Sequence, residues 1–175
     1  MADIQAFFDP QTATVTYLVS DPATKAAAII DPVLDFDAKI ARLSTASIDA
    51  VLNAASKKGL RVIWALDTHA HADHLSAADY VRGKTGAKIG IGARIVDVQR
   101  AFRTLFNAVD VAPNGEAFDA LFEDGARFAI GGLEARVIHT PGHTPACVTY
   151  VIGDAAFVGD TLFMPDYGTA RADFP

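Results

Sequence analysis

The sequence contains little cysteine, no long apolar run and no excess of positive charge. Cys147 is the single cysteine among 175 residues, which excludes a disulfide within the chain and is typical of a reducing compartment. No stretch reaches the ~18 apolar residues of a membrane-spanning helix, and the N-terminal "MADIQAFFDP" has acidic residues where a signal peptide has Lys or Arg. We therefore expect a cytoplasmic protein without membrane association.

The charge balance and the composition narrow the class of protein further. Lys and Arg number 15 against 21 Asp and Glu, so the net charge is −6. Because nucleic-acid binding requires a face rich in Lys and Arg, we do not expect DNA or RNA as a partner. With 51% hydrophobic and 21% charged residues, the chain is expected to fold as one globular domain over residues 1–175.

The pattern of apolar residues predicts an α/β fold. Strands are predicted at residues 13–19, 26–31 and 60–66, and a helix at about 45–58 with Ser44 or Thr45 as its cap. A second helix should end near Gly86, followed by a strand at 88–92 and an amphipathic helix at 93–106. Its core candidates are Ile95, Val96, Val98, Phe102, Leu105 and Phe106. Four strands at 126–130, 133–139, 147–152 and 155–160 complete a pattern of mixed sheets with helices outside.

The stretch "THAHADH", residues 68–74, holds three of the five histidines and an aspartate. His69 and His71 cannot share a helix face, but both can approach one ion from a strand end or an irregular loop. Asp73 and His74 are expected at the opening of the following helix. Imidazole suits Zn, Fe, Cu and Ni, and an added carboxylate favours Zn or non-haem Fe. Solvated or helix-capping histidines are the alternative, but the density of this cluster favours a metal loop.

Two further candidate ligands follow at turns between strands. His143 lies in "HTPGHTPA", where Pro and Gly impose a tight bend, and Asp160 lies beside Gly159 at a predicted strand end. A turn-stabilising imidazole and a capping carboxylate are the alternatives at these positions. His139 is better explained as a packed or hydrogen-bonded side chain.

The motifs "THAHADH", "TPGHTPA" and "FVGDTLF", in this order, resemble the metallo-β-lactamase superfamily. Within it, "GDTLFMPDYGTARADFP" is similar to the persulfide dioxygenases and the bacterial β-lactamase hydrolase-like proteins, relatives of the ethylmalonic encephalopathy protein. Their Gly-x-x-Arg-x-Asp-Phe pattern matches Arg171, Asp173 and Phe174. The resemblance implies an αββα sandwich with the metal site at one edge, between the two sheets.

The same resemblance implies a ligand set and a reaction. One Fe(II) per chain would be held by His69, His143 and Asp160, a two-His-one-carboxylate triad with open positions for substrate and O2. The reaction would oxidise glutathione persulfide to sulfite and glutathione, as in sulfide detoxification. His71, Asp73 and His74 would either orient the ligands by hydrogen bonds or form a second metal site.

Two substrate contacts are expected beside this triad. Arg171 is the candidate for a substrate carboxylate, because a guanidinium binds carboxylate bidentately, and an ion pair with Asp173 or Asp166 is the equal alternative. Tyr167 is a pocket candidate, with a buried core tyrosine as the alternative. Cys147 is expected to act as a small buried hydrophobe rather than a redox-sensitive thiol.

Two other functions stay open at this point. A thioester hydrolase similar to glyoxalase II would use two metals such as Zn(II), but its second site needs a histidine well downstream, and no histidine follows His143. A non-catalytic metal-binding protein is the other alternative. The turn-like end at Pro175 predicts that the domain lacks its C-terminal part, and an open sheet edge would then favour a homodimer or a complementing chain.

Overall fold

The computed structural model describes residues 1–172. Asp173 and Phe174 of the "GTARADF" stretch, and Pro175, therefore lie outside the described residues. The strands are β1 Asp3–Phe8, β2 Val15–Ser20, β3 Ala26–Ile30, β4 Val33–Asp37, β5 Arg42–Ser44, β6 Arg61–Leu66, β7 Leu75–Ser76, β8 Lys88–Gly92, β9 Ala120–Phe122, β10 Arg127–Ile130, β11 Leu133–His139, β12 Val148–Ile152 and β13 Ala155–Phe157. The helices are α1 Ala46–Lys57, α2 Ala78–Thr85 and α3 Ile95–Leu105, and a single 3-10 turn spans Gly159–Thr161.

The strands of the described chain form three sheets. The largest has the order β1-β2-β3-β6-β8-β9, the second β10-β11-β12-β13, and the smallest β5-β4-β7. In the large sheet β3, β6, β8 and β9 run parallel, whereas β1 and β2 are antiparallel to their neighbours. This mixed topology, with strands and helices alternating first and short strands following, confirms the predicted α/β fold class.

The two larger of three apolar clusters among the described residues lie between the layers. Helices α1 and α2 bury Ile48, Val51 and Val81 against one face of the large sheet. The opposite face packs on the second sheet through a cluster that includes Val19, Ile30, Leu66, Val137, Tyr150 and Ile152. Each apolar side chain buried in this way stabilises the fold by roughly 1.5–3 kcal/mol, so the stacking of the two sheets rests mainly on this inner core.

The parallel strands bring the metal loop to one edge of the large sheet. Because β3 and β6 run in the same direction, the residues after their carboxyl ends, Asp31 and Asp67, emerge side by side, and the Asp31 backbone N–H donates to the Leu66 carbonyl at 2.8 Å. In open α/β sheets this carboxyl edge is where ligands bind. The "THAHADH" stretch continues directly from β6 into that position.

The structure corrects two predictions of local structure around the helices. Asp73 and His74 do not open the next helix, because Leu75 and Ser76 first pair with β4 and α2 begins only at Ala78. Within the described residues Thr45 stands at the start of α1 but makes no side-chain cap, whereas Ser44, the other predicted candidate, accepts the Ala46 N–H through Oγ at a long 3.5 Å. The Asp35 carboxylate of β4 accepts the Ser47 N–H at 3.0 Å, so the shorter capping bond comes from a neighbouring strand.

Helix α3 differs from its predicted packing at its C-terminal end. Ile95 and Val98 are buried as expected, whereas Leu105 and Phe106 are 72% and 68% exposed. The amphipathic pattern therefore identified the helix but extended its buried face one turn too far. Within residues 1–172, no helix combines the length and the apolar character needed to cross a membrane.

Candidate metal centre

Three side chains from separate segments converge at the sheet edge. His69 comes from the loop after β6, His143 from the bend between β11 and β12, and Asp160 from the 3-10 turn after β13. The Asp160 Oδ2 atom lies 3.5 Å from His143 Nε2 and 4.0 Å from His69 Nε2. His69 is 1% and His143 8% exposed, while the Asp160 side chain keeps 35% of its surface accessible.

These three atoms fit a divalent metal ion. Ligands bound about 2.0–2.2 Å from a metal lie about 3–3.5 Å from one another, so a small contraction of the group would complete the coordination. All three ligand atoms already lie within 4.8 Å of each other. His69 Nε2 is buried and has no hydrogen-bond partner among the residues that the structure describes, which is costly for a polar atom unless it binds an ion.

Hydrogen bonds at the opposite ring nitrogens orient both imidazoles. His143 Nδ1 donates to the Arg171 carbonyl at 2.8 Å, and His69 Nδ1 lies 2.9 Å from Thr68 Oγ1. When Nδ1 carries the proton, Nε2 keeps the lone pair that a metal requires. Burial, with the nearby His71 as the next cause, lowers the pKa of His69 to about 3, which keeps this imidazole neutral near pH 7.

His71 belongs to a buried acidic cluster rather than to this triad. Its Nε2 lies 3.1 Å from Asp31 Oδ1 and 3.9 Å from Asp67 Oδ1. Although burial opposes the charged imidazole, the Asp31 carboxylate raises the pKa of His71 to about 9. Burial raises the pKa of Asp67 to about 7, and Ser76 Oγ donates to both of its carboxylate oxygens at 2.9 Å.

Asp31 is the centre of that cluster. It accepts hydrogen bonds from the Thr68 N–H at 2.7 Å, the Thr68 hydroxyl at 3.0 Å and His71. Its φ of +49° is unusual for a residue other than glycine and aims the carboxylate at the metal loop. Burial opposes ionisation, but the charge and hydrogen bond of His71 keep the pKa of Asp31 below its ordinary value.

A second group of possible ligands lies on the outer side of His71. His71, Asp73 and His74 offer ligand atoms within 4.8 Å of one another, and the His74 Nε2 atom is buried with no hydrogen-bond partner within residues 1–172. Asp73 accepts a hydrogen bond from Thr14 Oγ1 at 2.8 Å, so the β1–β2 turn supports this loop. The His71 and His74 rings stack with their centroids 4.1 Å apart.

A cavity of about 340 Å³ opens beside this second group. Its walls come from the β1–β2 turn, β4 and the 71–75 loop, and they include Leu34, Phe36, His74 and Leu75. Among the residues that the structure describes, its lining includes neither Arg171 nor Tyr167. The Tyr167 side chain is 81% exposed, so the buried core tyrosine considered as an alternative is wrong.

Sequence patterns alone predicted no separate role for Asp31, Asp67 or Thr68. Asp31 and Asp67 directly follow the buried parallel strands β3 and β6, and a carboxylate at a strand end is also the signal that made Asp160 a candidate at the end of the predicted strand 155–160. Cys147 is buried as expected, and its Sγ accepts a hydrogen bond from the Thr144 N–H at 3.3 Å next to His143.

The family model of the metallo-beta-lactamase superfamily matches residues 9–174. The chain belongs to the metallo-beta-lactamase superfamily. The resemblance seen in the three motifs is thereby confirmed, and so is the α/β sandwich, in which the large sheet stacks on the second sheet and carries α1 and α2 on its outer face.

Similar proteins of the superfamily carry different names. The chain is 59% identical to the beta-lactamase hydrolase-like protein of Agrobacterium fabrum, over 98% of this chain and 40% of that protein. It is 47% identical to glyoxylase B2 of Dictyostelium discoideum, over 99% of this chain and 61% of the relative, and 32% identical to the mitochondrial persulfide dioxygenase ETHE1 of Bos taurus, over 98% and 56%. The crystal structure of ETHE1 from Myxococcus xanthus superposes with a TM-score of 0.77 at 28% identity, covering 98% of this chain and 62% of that one. The chain thus spans roughly half the length of these relatives.

Proposed function

We propose that this chain holds one Fe(II) through His69, His143 and Asp160 and oxidises glutathione persulfide with O2. The observation that carries this proposal is the convergence of His69 Nε2, His143 Nε2 and Asp160 Oδ2 from three separate segments. Two imidazoles and one carboxylate on one side of an ion are the ligand set of non-haem iron oxygenases, which keep open positions for substrate and O2. The similarity to persulfide dioxygenases supports the same reading.

The proposed reaction balances without a further reductant. Glutathione persulfide, O2 and water give glutathione, sulfite and two protons. The sulfane sulfur loses four electrons and O2 gains four, while the sulfur–sulfur bond breaks and the thiol keeps a proton. Bound Fe(II) would supply the site at which O2 and the persulfide sulfur meet and exchange electrons.

The residues of this chain orient the candidate ligand atoms in the metal-free protein. The bonds at Nδ1 of His69 and His143 direct both Nε2 lone pairs to one point. Asp31 holds His71 Nε2 away from that point, which favours the proposed mononuclear site with two histidine ligands over a site with three. Burial of His69 and His143 excludes water from the inner side, while Asp160 stays partly accessible to substrate.

The part of the substrate that carries the persulfide would enter from the open side. The cavity beside His74 is one place for it, and Arg171 is the second candidate contact, because its backbone already contacts His143 and the residue is exposed. Tyr167 is exposed near the same segment, where its ring contacts Phe163. Both side chains remain proposed substrate contacts.

Metal analysis combined with oxygen uptake tests the proposal. Protein purified without added metal should contain one iron per chain and consume O2 when glutathione persulfide is added. Asp160→Ala should lose both iron and oxygen uptake, whereas the matched control Asp154→Ala, in the exposed β12–β13 turn, should keep both. Two zinc ions per chain with no oxygen uptake would refute the dioxygenase.

A thioester hydrolase is the second candidate, because the group of His71, Asp73 and His74 offers a second metal site. The similarity to glyoxylase B2 favours the same alternative. With two Zn(II) bound, the protein would release thiol from S-lactoylglutathione under nitrogen. Asp73→Ala would then abolish activity, whereas the mononuclear proposal expects this variant to retain iron and most of its oxygen uptake. A protein that binds metal but performs neither reaction would be a non-catalytic member of the superfamily.

A further inference from the structure

Thr68 contacts every segment that carries a proposed metal ligand. It precedes His69 in the chain, is 1% exposed, and its carbonyl accepts a hydrogen bond from the Val148 N–H at 2.9 Å, immediately after the bend that carries His143. Its side chain also faces Gly159, since a Cβ added at Gly159 would lie 2.8 Å from Thr68 Cβ. One buried residue therefore joins the three segments.

The hydrogen bonds of the Thr68 hydroxyl have a determined direction. The hydroxyl carries one hydrogen and donates it to Asp31 Oδ2 at 3.0 Å. A carboxylate can only accept, so the hydroxyl hydrogen is used in the bond to Asp31. In the remaining contact, at 2.9 Å, the hydroxyl oxygen therefore accepts a hydrogen bond from the Nδ1–H of His69. The relay Asp31–Thr68–His69 therefore leaves the Nε2 atom of His69 unprotonated and facing Asp160.

We propose that Thr68 is a positioning residue that selects the Nδ1–H tautomer of His69 and sets the spacing of the three ligand segments. This inference rests on the proposed metal triad, but it concerns the state of the protein before metal binds. Without the hydroxyl, His69 Nδ1 has no acceptor in this relay, and the Nε2–H tautomer, which cannot coordinate a metal through Nε2, becomes populated. Groups that orient a metal ligand in this way typically contribute about 10–100-fold to metal affinity.

Nitrogen chemical shifts of the histidine rings test the tautomer directly. In metal-free protein labelled with ¹⁵N-histidine, His69 should show a protonated Nδ1 and an unprotonated Nε2, with its signals assigned from the spectrum of His69→Ala. Thr68→Val, which keeps the shape of the side chain, should shift His69 toward the Nε2–H form. Thr68→Ser restores the hydroxyl and should restore the Nδ1–H form.

Asp31→Asn provides a second test that keeps the volume of the side chain. The Oδ1 position receives two donors, the Thr68 N–H and His71 Nε2, so the amide oxygen should remain there and the amide nitrogen should face the Thr68 hydroxyl. The hydroxyl would then accept from the amide and donate to His69 Nδ1. His69 should therefore change to the Nε2–H tautomer although no cavity has been created.

Metal affinity, measured by competition with a chelator, completes the test. Thr68→Val should bind Zn(II) and Fe(II) about 10–100-fold more weakly than the wild type, and Thr68→Ser should recover most of that loss. An unchanged His69 tautomer in folded Thr68→Val, or an affinity loss that Ser does not recover, would overturn the inference. Full metal content in His69→Ala would instead refute the proposed triad, while the tautomer measurement would still report on Thr68.

Discussion

Replacing Gly159 by alanine is expected to damage the metal site more than the same change at Gly153. Both glycines have a positive φ, +50° and +63°, so both substitutions place an L side chain in the left-handed region at a cost of roughly 1–2 kcal/mol. They differ in their surroundings. A Cβ at Gly153 meets no atom within 4 Å, whereas a Cβ at Gly159 would overlap Thr68 Oγ1 and lie 2.8 Å from Thr68 Cβ.

The side chain of Thr68 cannot move aside to remove the overlap with a Cβ at Gly159. Thr68 is held by Asp31, His69 and Val148, so the 159–161 turn has to move instead and takes Asp160 with it. Overpacking of this kind costs about 1–3 kcal/mol. The free energy of unfolding should therefore fall by about 2–5 kcal/mol in Gly159→Ala and by about 1–2 kcal/mol in Gly153→Ala.

Urea unfolding of the metal-free variants measures this difference, and chelator competition measures the effect on metal binding. We expect weaker metal binding in Gly159→Ala and wild-type binding in Gly153→Ala. Equal losses of stability together with equal metal affinity would show that the turn is not held against Thr68 and would refute the reasoning.

Two further predictions concern buried groups near the site. In metal-free protein the pKa of His71 is raised from 6.5 to about 9, so the folded state binds more protons than the unfolded state between these values, and the free energy of unfolding should fall as the pH rises from 7 to 9. The decrease should be on the order of 2 kcal/mol and should flatten in His71→Gln, and an equal slope in both proteins would contradict the assignment. Tyr150→Phe should lose about 1–3 kcal/mol of stability in urea, because the fully buried Tyr150 hydroxyl donates to the Asp67 carbonyl at 2.9 Å. Tyr167→Phe, at an exposed position, is its control and should be unchanged.

Helices and strands that bury one side could be predicted from the periodicity of their apolar residues. The predicted strand at 60–66 is observed as β6, and the predicted helix at 45–58 as α1 with Gly59 in the left-handed conformation just beyond it. The shorter capping bond of α1 could not be predicted, because its acceptor is the side chain of Asp35 on another strand. Leu105 and Phe106 continue the apolar stripe of α3, and only the three-dimensional packing shows that no described element covers them as the core would.

The candidate ligands of the site could be predicted, whereas its supporting groups could not. Residue type and position at turns or strand ends marked His69, His143 and Asp160 as candidates, the resemblance to the superfamily implied that these three form one set, and the structure brings them together. Whether they hold iron stays a prediction. The direction of a hydroxyl hydrogen bond depends on atoms contributed by distant segments, so the role of Thr68 could not be read from its place in the motif.

The position of Asp31 links two features of the proposed mononuclear site. One of its oxygens holds His71 Nε2, which keeps that imidazole out of the group formed by His69, His143 and Asp160. Its other oxygen accepts from Thr68 and, through that hydroxyl, sets the proton of His69. Because a single carboxylate performs both tasks, an Asp31→Asn change should replace the charged acceptor of His71 Nε2 by a weaker, neutral amide oxygen and should also reverse the tautomer of His69. The strength with which His71 is held away from the triad and the tautomer of the first ligand are therefore expected to change in the same variant and not separately.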